Sequence, residues 1–448
     1  MLRKLMAAAL AVSMTAVCFT ACGDSSSSSS AGSSGADSSQ VSTDSAVSQT
    51  DSGSDVNADL KAPVADGPID ITQGMTENML TRSIHYEGDT TRLANKLKEA
   101  KSEDNDKIWN IVFLGDSITA GSTTSKGEYT FVNRFTLWWK DNVNKKSKII
   151  NAGIGATNSY YGVHRLDRDV FVNTPDIIFI EFINDTGDMF YESTMESLIR
   201  KCLAYETNPA VVLVEMSLDG GGNAQEVHEA PAEKYGVPIL SYHDAVDPEI
   251  KAGNLTFKSS GGGSSDTDGL SPDGTHPNDY GHLMVAQMIE NFLDKVAAGA
   301  DDAGEITPFD TSSESVTGDL YKDARICDRS TGDIKAKDQK GFKDESSPWN
   351  FKEGWTATNA GDTISFDMEF KNLGMLYLKT IDGKTGAVTV TIDGEEVKTI
   401  DGDFPNGWGD YGTDIEVYRS DETAKHTVTV TVNDGDKTKF EILGWLVS

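Results

Sequence analysis

The sequence predicts a three-layer α/β domain with a mostly parallel five-stranded sheet, followed by an all-β sandwich. Two observations carry this prediction. Between Lys107 and about Ala298, near-continuous apolar runs of strand length alternate with longer helix-like segments, the pattern of a parallel sheet covered on both faces. From about Ile306 onward, apolar and polar residues alternate and Asp-Gly pairs interrupt them, as in half-buried antiparallel strands joined by hairpins. A chain of 448 residues is long enough for more than one such core.

The chain opens with MLRKLMAAALAVSMTAVCFTAC, which has early positive charges, an apolar run short for a membrane span, and small residues before Cys22. Residues 1–21 therefore read as an export signal. Residues 22–65 are Ser-rich and lack aromatics, with too little apolar surface to offset the entropy of ordering. They read as a tether with a root-mean-square reach of about 35 Å. Residues 66–300 form the expected α/β domain, which begins with a helix over TRLANKLKEA packed on its edge. His85, just upstream, reads as a surface residue. The strands are WNIVFLG, SKIINAGI, DIIFIEFIN, AVVLVEMS and VPILSYHD, and YGHLMVAQMIENFLDKVAA is the closing helix. Residues 301–318 read as a link. Residues 319–448 hold runs such as DTISFDMEF, AVTVTIDG, HTVTVTV and FEILGWLV, a jelly-roll-like pattern with turns at Asp382, Asp393 and Asp434.

The net charge of −32 argues against nucleic acid or an anionic membrane surface as the main partner. Of four cysteines, Cys18 leaves with the signal and Cys22 borders it, so no disulfide framework is available. Cys202, in the helix-like MESLIRKCLAYE, and Cys327 are either buried thiols or a pair.

In an open parallel sheet, ligands sit outside the carboxyl ends of the strands, where loops from neighbouring strands converge. The first run ends in GDSIT with Ser117, the second in NAGIGATNS and the third in FIND with Asn184; the loop before the closing helix is SPDGTHPND. All four fall on one rim. Asp116 and Asp185 read as turn-stabilising residues. His164, with Arg165 and Asp167, reads as an exposed salt-linked face. His243 reads as structural, and His228 and His426 as solvent-facing. HExxH, CxxC, P-loop and GxSxG patterns do not occur, and nothing calls for a metal or cofactor. In the carboxyl-terminal part, Trp349, Trp355 and Trp445 suit a sandwich core. FPNGWGDYG reads as an exposed loop that presents Trp408 and Tyr411 for stacking on a sugar ring.

Over roughly Trp109 to Ala298, these blocks resemble the SGNH, or GDSL-type, hydrolase family. The resemblance implies a flavodoxin-like three-layer fold and gives the residues roles: Ser117 as nucleophile, His276 as general base and Asp273 as its orienting acid. The Asn184 amide, the Ser117 N–H and a backbone N–H of Gly155 or Ala156 would receive the oxyanion. The roles have physical reasons. A serine hydroxyl is a weak nucleophile and needs an imidazole in reach, which in turn needs a carboxylate to set its tautomer. The tetrahedral oxyanion needs preorganised donors. Two departures stand out: Ala156 occupies a position where glycine is common, and Phe182 and Ile183 replace the glycine usual before Asn184. FTACG resembles the lipobox of bacterial lipoproteins, which implies lipidation of Cys22. Together these imply a cofactor-free serine esterase lipid-anchored at the bacterial cell surface, acting on acetyl or other small acyl esters of a polysaccharide. The sugar rests on analogy with exported members that carry β-sandwich partners. The alternatives are a lipase-like or lysophospholipase-like acylhydrolase and a glycan-binding protein without turnover.

Overall fold

The apolar runs become strands because each has core on both sides. The structure, a computed structural model, describes residues 62–102, 106–348, 351 and 353–448. The expected signal, Cys22, nearly all of the tether and Trp349 lie outside them. The α/β part has strands β1 (Ile84–Tyr86), β2 (Trp109–Gly115), β3 (Ser147–Gly153), β4 (Ile177–Glu181), β5 (Ala210–Glu215) and β6 (Ile239–Ser241). Its helices are α1 (Glu77–Arg82), α2 (Thr91–Ala100), α3 (Ser117–Ala120), α4 (Phe131–Asn142), α5 (Ser159–His164), α6 (Leu166–Asp169), α7 (Phe190–Leu203), α8 (Gln225–Lys234), α9 (Tyr242–Lys251) and α10 (Asp279–Ala298). Among the described residues no helix is long and apolar enough to cross a membrane.

The sheet order is β1-β6-β5-β4-β2-β3, and β2 to β6 pair in parallel. One face packs on Leu93, Phe135, Trp139, Val246 and Ile289 from α2, α4, α9 and α10. The other packs on Tyr161, Leu198 and Ala232 from α5, α7 and α8. From β2 the chain steps outward to β3, then returns to β4 on the other side of β2. This reversal opens a crevice at the carboxyl ends of β2, β3 and β4.

Among the described residues the sheet has six strands rather than the five expected from sequence. The addition, β1, is antiparallel to β6 and only three residues long, too short to leave an apolar run. It carries His85, which is half-buried rather than a free surface residue and bonds to Asp244 at 2.6 Å and Glu229 at 3.3 Å. Burial acts to lower the His85 pKa, but the two carboxylates outweigh it and raise it to about 9.

The carboxyl-terminal part comprises β7 (Arg325–Cys327), β8 (Ala336–Lys340), β9 (Trp355–Ala357), β10 (Thr363–Lys379), β11 (Ala387–Ile392), β12 (Glu395–Asp401), β13 (Tyr411–Val432) and β14 (Phe440–Val447). These strands pair with one another antiparallel. The pairing is also continuous, because β10 and β13 are long. Register shifts near Phe370–Gly374 let the two halves of β10 enclose one core with Trp355, Val390 and Trp445. Asp393 and Gly394 both have positive φ, 53° and 90°, and make the tight hairpin between β11 and β12 that the Asp-Gly pair predicts.

The two parts share a core: Leu376, Leu378, Leu443 and Leu446 join the α5–α7 face. The segment read as a link lies along α2 and α7. There Arg92 donates to Thr307 O, Arg200 to Ser313 O, and Glu196 accepts from the backbone of Val316 and Thr317.

At the end of β3, Gly153 lies against the turn after β2. A Cβ there would sit 2.3 Å from the Ala120 nitrogen and 2.7 Å from the Thr119 carbonyl carbon. Neighbouring Asn151 donates its amide to Thr119 O at 2.7 Å. Gly153→Ala is expected to destabilise the protein by about 1–3 kcal/mol, the usual cost of overpacking a site that cannot relax; thermal unfolding beside wild type checks it.

Candidate active site

Each rim residue is held by its own turn. β2 ends at Gly115, and α3 begins at Ser117 with Asp116 as its cap, accepting the Ile118 N–H at 2.9 Å. This is the turn-stabilising role expected of Asp116. The loop before α10 forms around Asp273, whose Oδ1 accepts the N–H groups of Thr275 and His276, both at 2.8 Å. Asp273 and His276 thereby face the same way. His276 Nδ1 lies 2.7 Å from Asp273 Oδ2, and His276 Nε2 lies 2.9 Å from Ser117 Oγ. With Nδ1–H donating to the carboxylate, Nε2 is left as the acceptor for the serine proton.

The two loops are also bound to each other. Thr123 Oγ1 donates to Pro277 O at 2.8 Å, and the Ser125 amide and hydroxyl donate to the Asp279 carboxylate at 2.8 and 2.5 Å. Burial pushes the Asp273 carboxyl up, but the hydrogen bonds from the His276 ring and the His276 and Thr275 amides outweigh it. They hold Asp273 well below the usual carboxylate range.

On the opposite side of Ser117 stand the loops after β3 and β4. Gly155 is beside the serine: a Cβ on it would lie 3.6 Å from Ser117 Cβ. Ala156 takes a left-handed conformation, φ 59°, where glycine would be less strained. Asn184 Nδ2 donates to Thr157 O at 2.8 Å, which commits one amide hydrogen and leaves the second as a donor. Ser117, His276, Asp273, Asn184, Gly155 and Ala156 thus share one rim, an arrangement able to run acyl transfer through a serine.

Several supporting residues read differently from sequence. His228 is buried, not solvent-facing: it bridges Glu215 at 2.8 Å and Asp185 at 3.0 Å. Burial acts to lower its pKa, but the two carboxylates raise it to about 10, so it is an imidazolium at neutral pH. Asp185 does more than stabilise its own turn, since its other oxygen accepts the Ser159 N–H at 3.0 Å at the start of α5. His164 and Arg165 are buried rather than exposed. Burial lowers the His164 pKa to about 3, while Arg165 donates to the carbonyls of Ala152 and Gly115 at the ends of β3 and β2. His426 is half-buried against Phe370 and bonds to Asp393. No local pattern marks these residues, because their partners come from other strands. Cys202 and Cys327 are separate buried thiols. Among the described residues no group of three or more His, Cys, Asp or Glu side chains is arranged to hold a metal ion.

A cleft of about 450 Å³ starts at Ile154 and Gly155 and continues into the all-β domain along Pro348, Phe351, Trp408 and Tyr411. Trp408 is 70% exposed and stacks on Tyr411 with ring centroids 4.6 Å apart. Trp355 and Trp445 are core residues. Below the cleft, Asn158 caps α5 and donates to Asp414 of β13 at 3.2 Å; Tyr160 donates to Asn372 of β10 at 3.0 Å. Asn184→Ala removes the uncommitted amide hydrogen at this rim and is expected to lower kcat for ester hydrolysis by about 10²–10³-fold with little change in KM, as for loss of one oxyanion donor; steady-state kinetics check it.

A family model for the GDSL-like lipase/acylhydrolase family matches residues 113–284. Among solved structures, a two-domain esterase active on acetylated mannans aligns with a TM-score of 0.73 and 31% identity, over 82% of this chain and 98% of that one. A structure of such an esterase co-crystallized with mannopentaose aligns with a TM-score of 0.72 and 30% identity, over 82% and 97%. No curated protein matches the chain. Likeness that runs through both domains of a solved esterase, with a family match spanning the loops of Ser117 and His276, makes this chain a member of the GDSL-like lipase/acylhydrolase (SGNH) family and a serine ester hydrolase.

Proposed function

We propose that the protein removes acetyl groups from a mannan-type polysaccharide outside the cell, by a Ser117–His276–Asp273 triad, while a lipid on Cys22 anchors it. The observation that carries the reading is the continuous chain from Asp273 through His276 to Ser117, at 2.7 and 2.9 Å, beside a cleft that leads to the exposed ring of Trp408. Ser117 Oγ attacks the ester carbonyl carbon as its proton passes to His276 Nε2. The oxyanion is received by the Ser117 N–H, the free Asn184 amide hydrogen and a backbone N–H of the Gly155–Ala156 loop. Collapse breaks the carbon–oxygen bond to the sugar, whose oxygen takes the proton from His276. Water, deprotonated by the same imidazole, then hydrolyses the acyl-enzyme to release acetate and restore Ser117.

The sugar assignment is supported by the face of Trp408, backed by Tyr411, in the same cleft as Gly155, and by the activity of the solved relative on acetylated mannans. A net charge of −32 suits an uncharged polysaccharide. The anchored, extracellular location rests on the opening residues and the FTACG block.

Ser117→Ala is expected to lower kcat on p-nitrophenyl acetate and acetylated mannan by about 10⁴-fold or more; equal inertness of wild type and variant across an ester panel, with retained glycan pull-down, would favour a binding protein. The wild-type rate is expected to fall on acidification, because a protonated imidazole cannot accept the serine proton; a flat acid limb in kcat/KM would exclude His276 as base. Trp408→Ala is expected to raise KM on acetylated manno-oligosaccharides about fivefold, the loss of about 1 kcal/mol of ring stacking, and to leave p-nitrophenyl acetate turnover unchanged. Equal KM values on the oligosaccharide would remove Trp408 from the sugar site.

A further inference from the structure

Behind Ser117, two carboxyl groups are buried against each other. Asp116 is 0% exposed and Glu181, the last residue of β4, is 3% exposed. Their side chains hydrogen-bond to one another, which two carboxyl groups can do only if one keeps a proton. The remaining contacts lead to both halves of the site. Asp116 Oδ1 accepts the Ile118 N–H at 2.9 Å, and its Oδ2 accepts the Asn184 N–H at 3.4 Å. Glu181 accepts the Ile183 N–H at 3.0 Å and the Thr119 hydroxyl at 2.8 Å. These contacts join the turn that carries Ser117 to the turn that carries Asn184.

The surrounding charged groups are committed elsewhere. Arg165, at the same strand ends, donates to Gly115 O, Ala152 O and Asp169. On the face that Glu181 shares with Phe179, α10 contributes His282, bonded to the Phe131 amide, α9 contributes Tyr242, and α4 contributes Arg134, which donates to Tyr129 O and Asp279 O. Glu215, with His228 and Asp185, belongs to the other face, because it alternates with Val214 along β5. The triad members Asp273 and His276 bond to each other and to Ser117.

We propose that Asp116 and Glu181 are positioning residues that share one proton, and that this proton sets the Ser117 hydroxyl and backbone N–H in register with Asn184 for acyl transfer. The inference rests on Ser117 as the nucleophile. Burial, then repulsion from Glu181, holds the Asp116 carboxyl well above the usual range, and burial raises Glu181 as well. Both shifts act in the direction that keeps a proton on the pair, where free carboxyls give theirs up. As pH rises through the raised value the pair becomes doubly negative, the two turns repel, and both alignment and the stability linked to the bound proton are lost.

The test is the pH dependence of kcat and KM of the full-length protein on p-nitrophenyl acetate, with rates of Ser117→Ala subtracted as background. Glu181→Gln replaces the shared proton with a permanent amide donor toward Asp116. It is expected to keep most of the neutral-pH kcat and to lose the alkaline fall in kcat expected of wild type. Glu181→Leu removes the link and is expected to lower kcat about 10²-fold, as for a small misplacement of reacting groups, with KM nearly unchanged. Glu290 and Asp414, whose carboxyls burial raises to about 7, contribute equally to both proteins, so the wild-type-minus-Glu181→Gln infrared difference spectrum at neutral pH should show a protonated-carboxyl band. A Glu181→Gln alkaline limb superimposable on wild type, or the absence of a protonated-carboxyl band from the wild-type-minus-variant difference spectrum, overturns the proposal even if Glu181→Leu does not fold. Full activity in Ser117→Ala would instead bring down the nucleophile assignment and this inference with it. An inert Ser117→Ala beside an unaltered Glu181→Gln profile would bring down this inference alone.

Discussion

The site depends on one hydrogen bond between groups 159 residues apart, from Ser117 Oγ to His276 Nε2. A bond of that span cannot be held by its own strength. One hydrogen bond contributes only about 0.5–1.5 kcal/mol net, against the entropy of ordering two loops. It is held because each loop is first made rigid locally, by Asp116 capping α3 and by Asp273 gathering the backbone of its own turn. The loops are then tied together by Thr123 and Ser125 reaching Pro277 and Asp279. The imidazole thus meets the hydroxyl as a consequence of packing, and the alignment of hydroxyl, imidazole and carboxylate is built into the fold.

The other half of the site is supported from below and from the second domain. The loop after β3 runs into α5, whose cap Asn158 bonds to β13 and whose Tyr160 bonds to β10. Beneath them, leucines from β10 and β14 complete the apolar layer over α5 and α7. Shared apolar burial of this kind fixes two domains more firmly than surface polar contacts could. This gives the cleft between Gly155 and Trp408 fixed walls, one contributing the chemistry and the other an aromatic face.

Several ionisable groups are buried around these strand ends, and each is compensated in a different way. Arg165 lies under β2 and β3 with carbonyl and carboxylate partners. His228 is an imidazolium between two acids, and Asp116 and Glu181 sit carboxyl to carboxyl. Buried charge contributes little net stability and is costly to leave unpaired. Its concentration at the rim couples neighbouring turns to one another, which apolar packing does with less angular precision.

Much of this was legible in the chain. The apolar runs determined the parallel strands, because a strand buried on both faces must be apolar throughout, and the Asp393–Gly394 pair determined its hairpin through backbone sterics. Ser117, Asn184, Asp273 and His276 were recognisable because each lies just past a strand or in the loop before the closing helix and belongs to a short contiguous block. Tertiary structure alone decided the sixth strand, the burial of His164, His228 and Arg165, the pairing of Asp116 with Glu181, and the meeting of Gly155 with Trp408. In each of these the deciding partner lies on a different strand or in the other domain, and a local pattern reports how a residue suits its own element but carries no information about what packs against it.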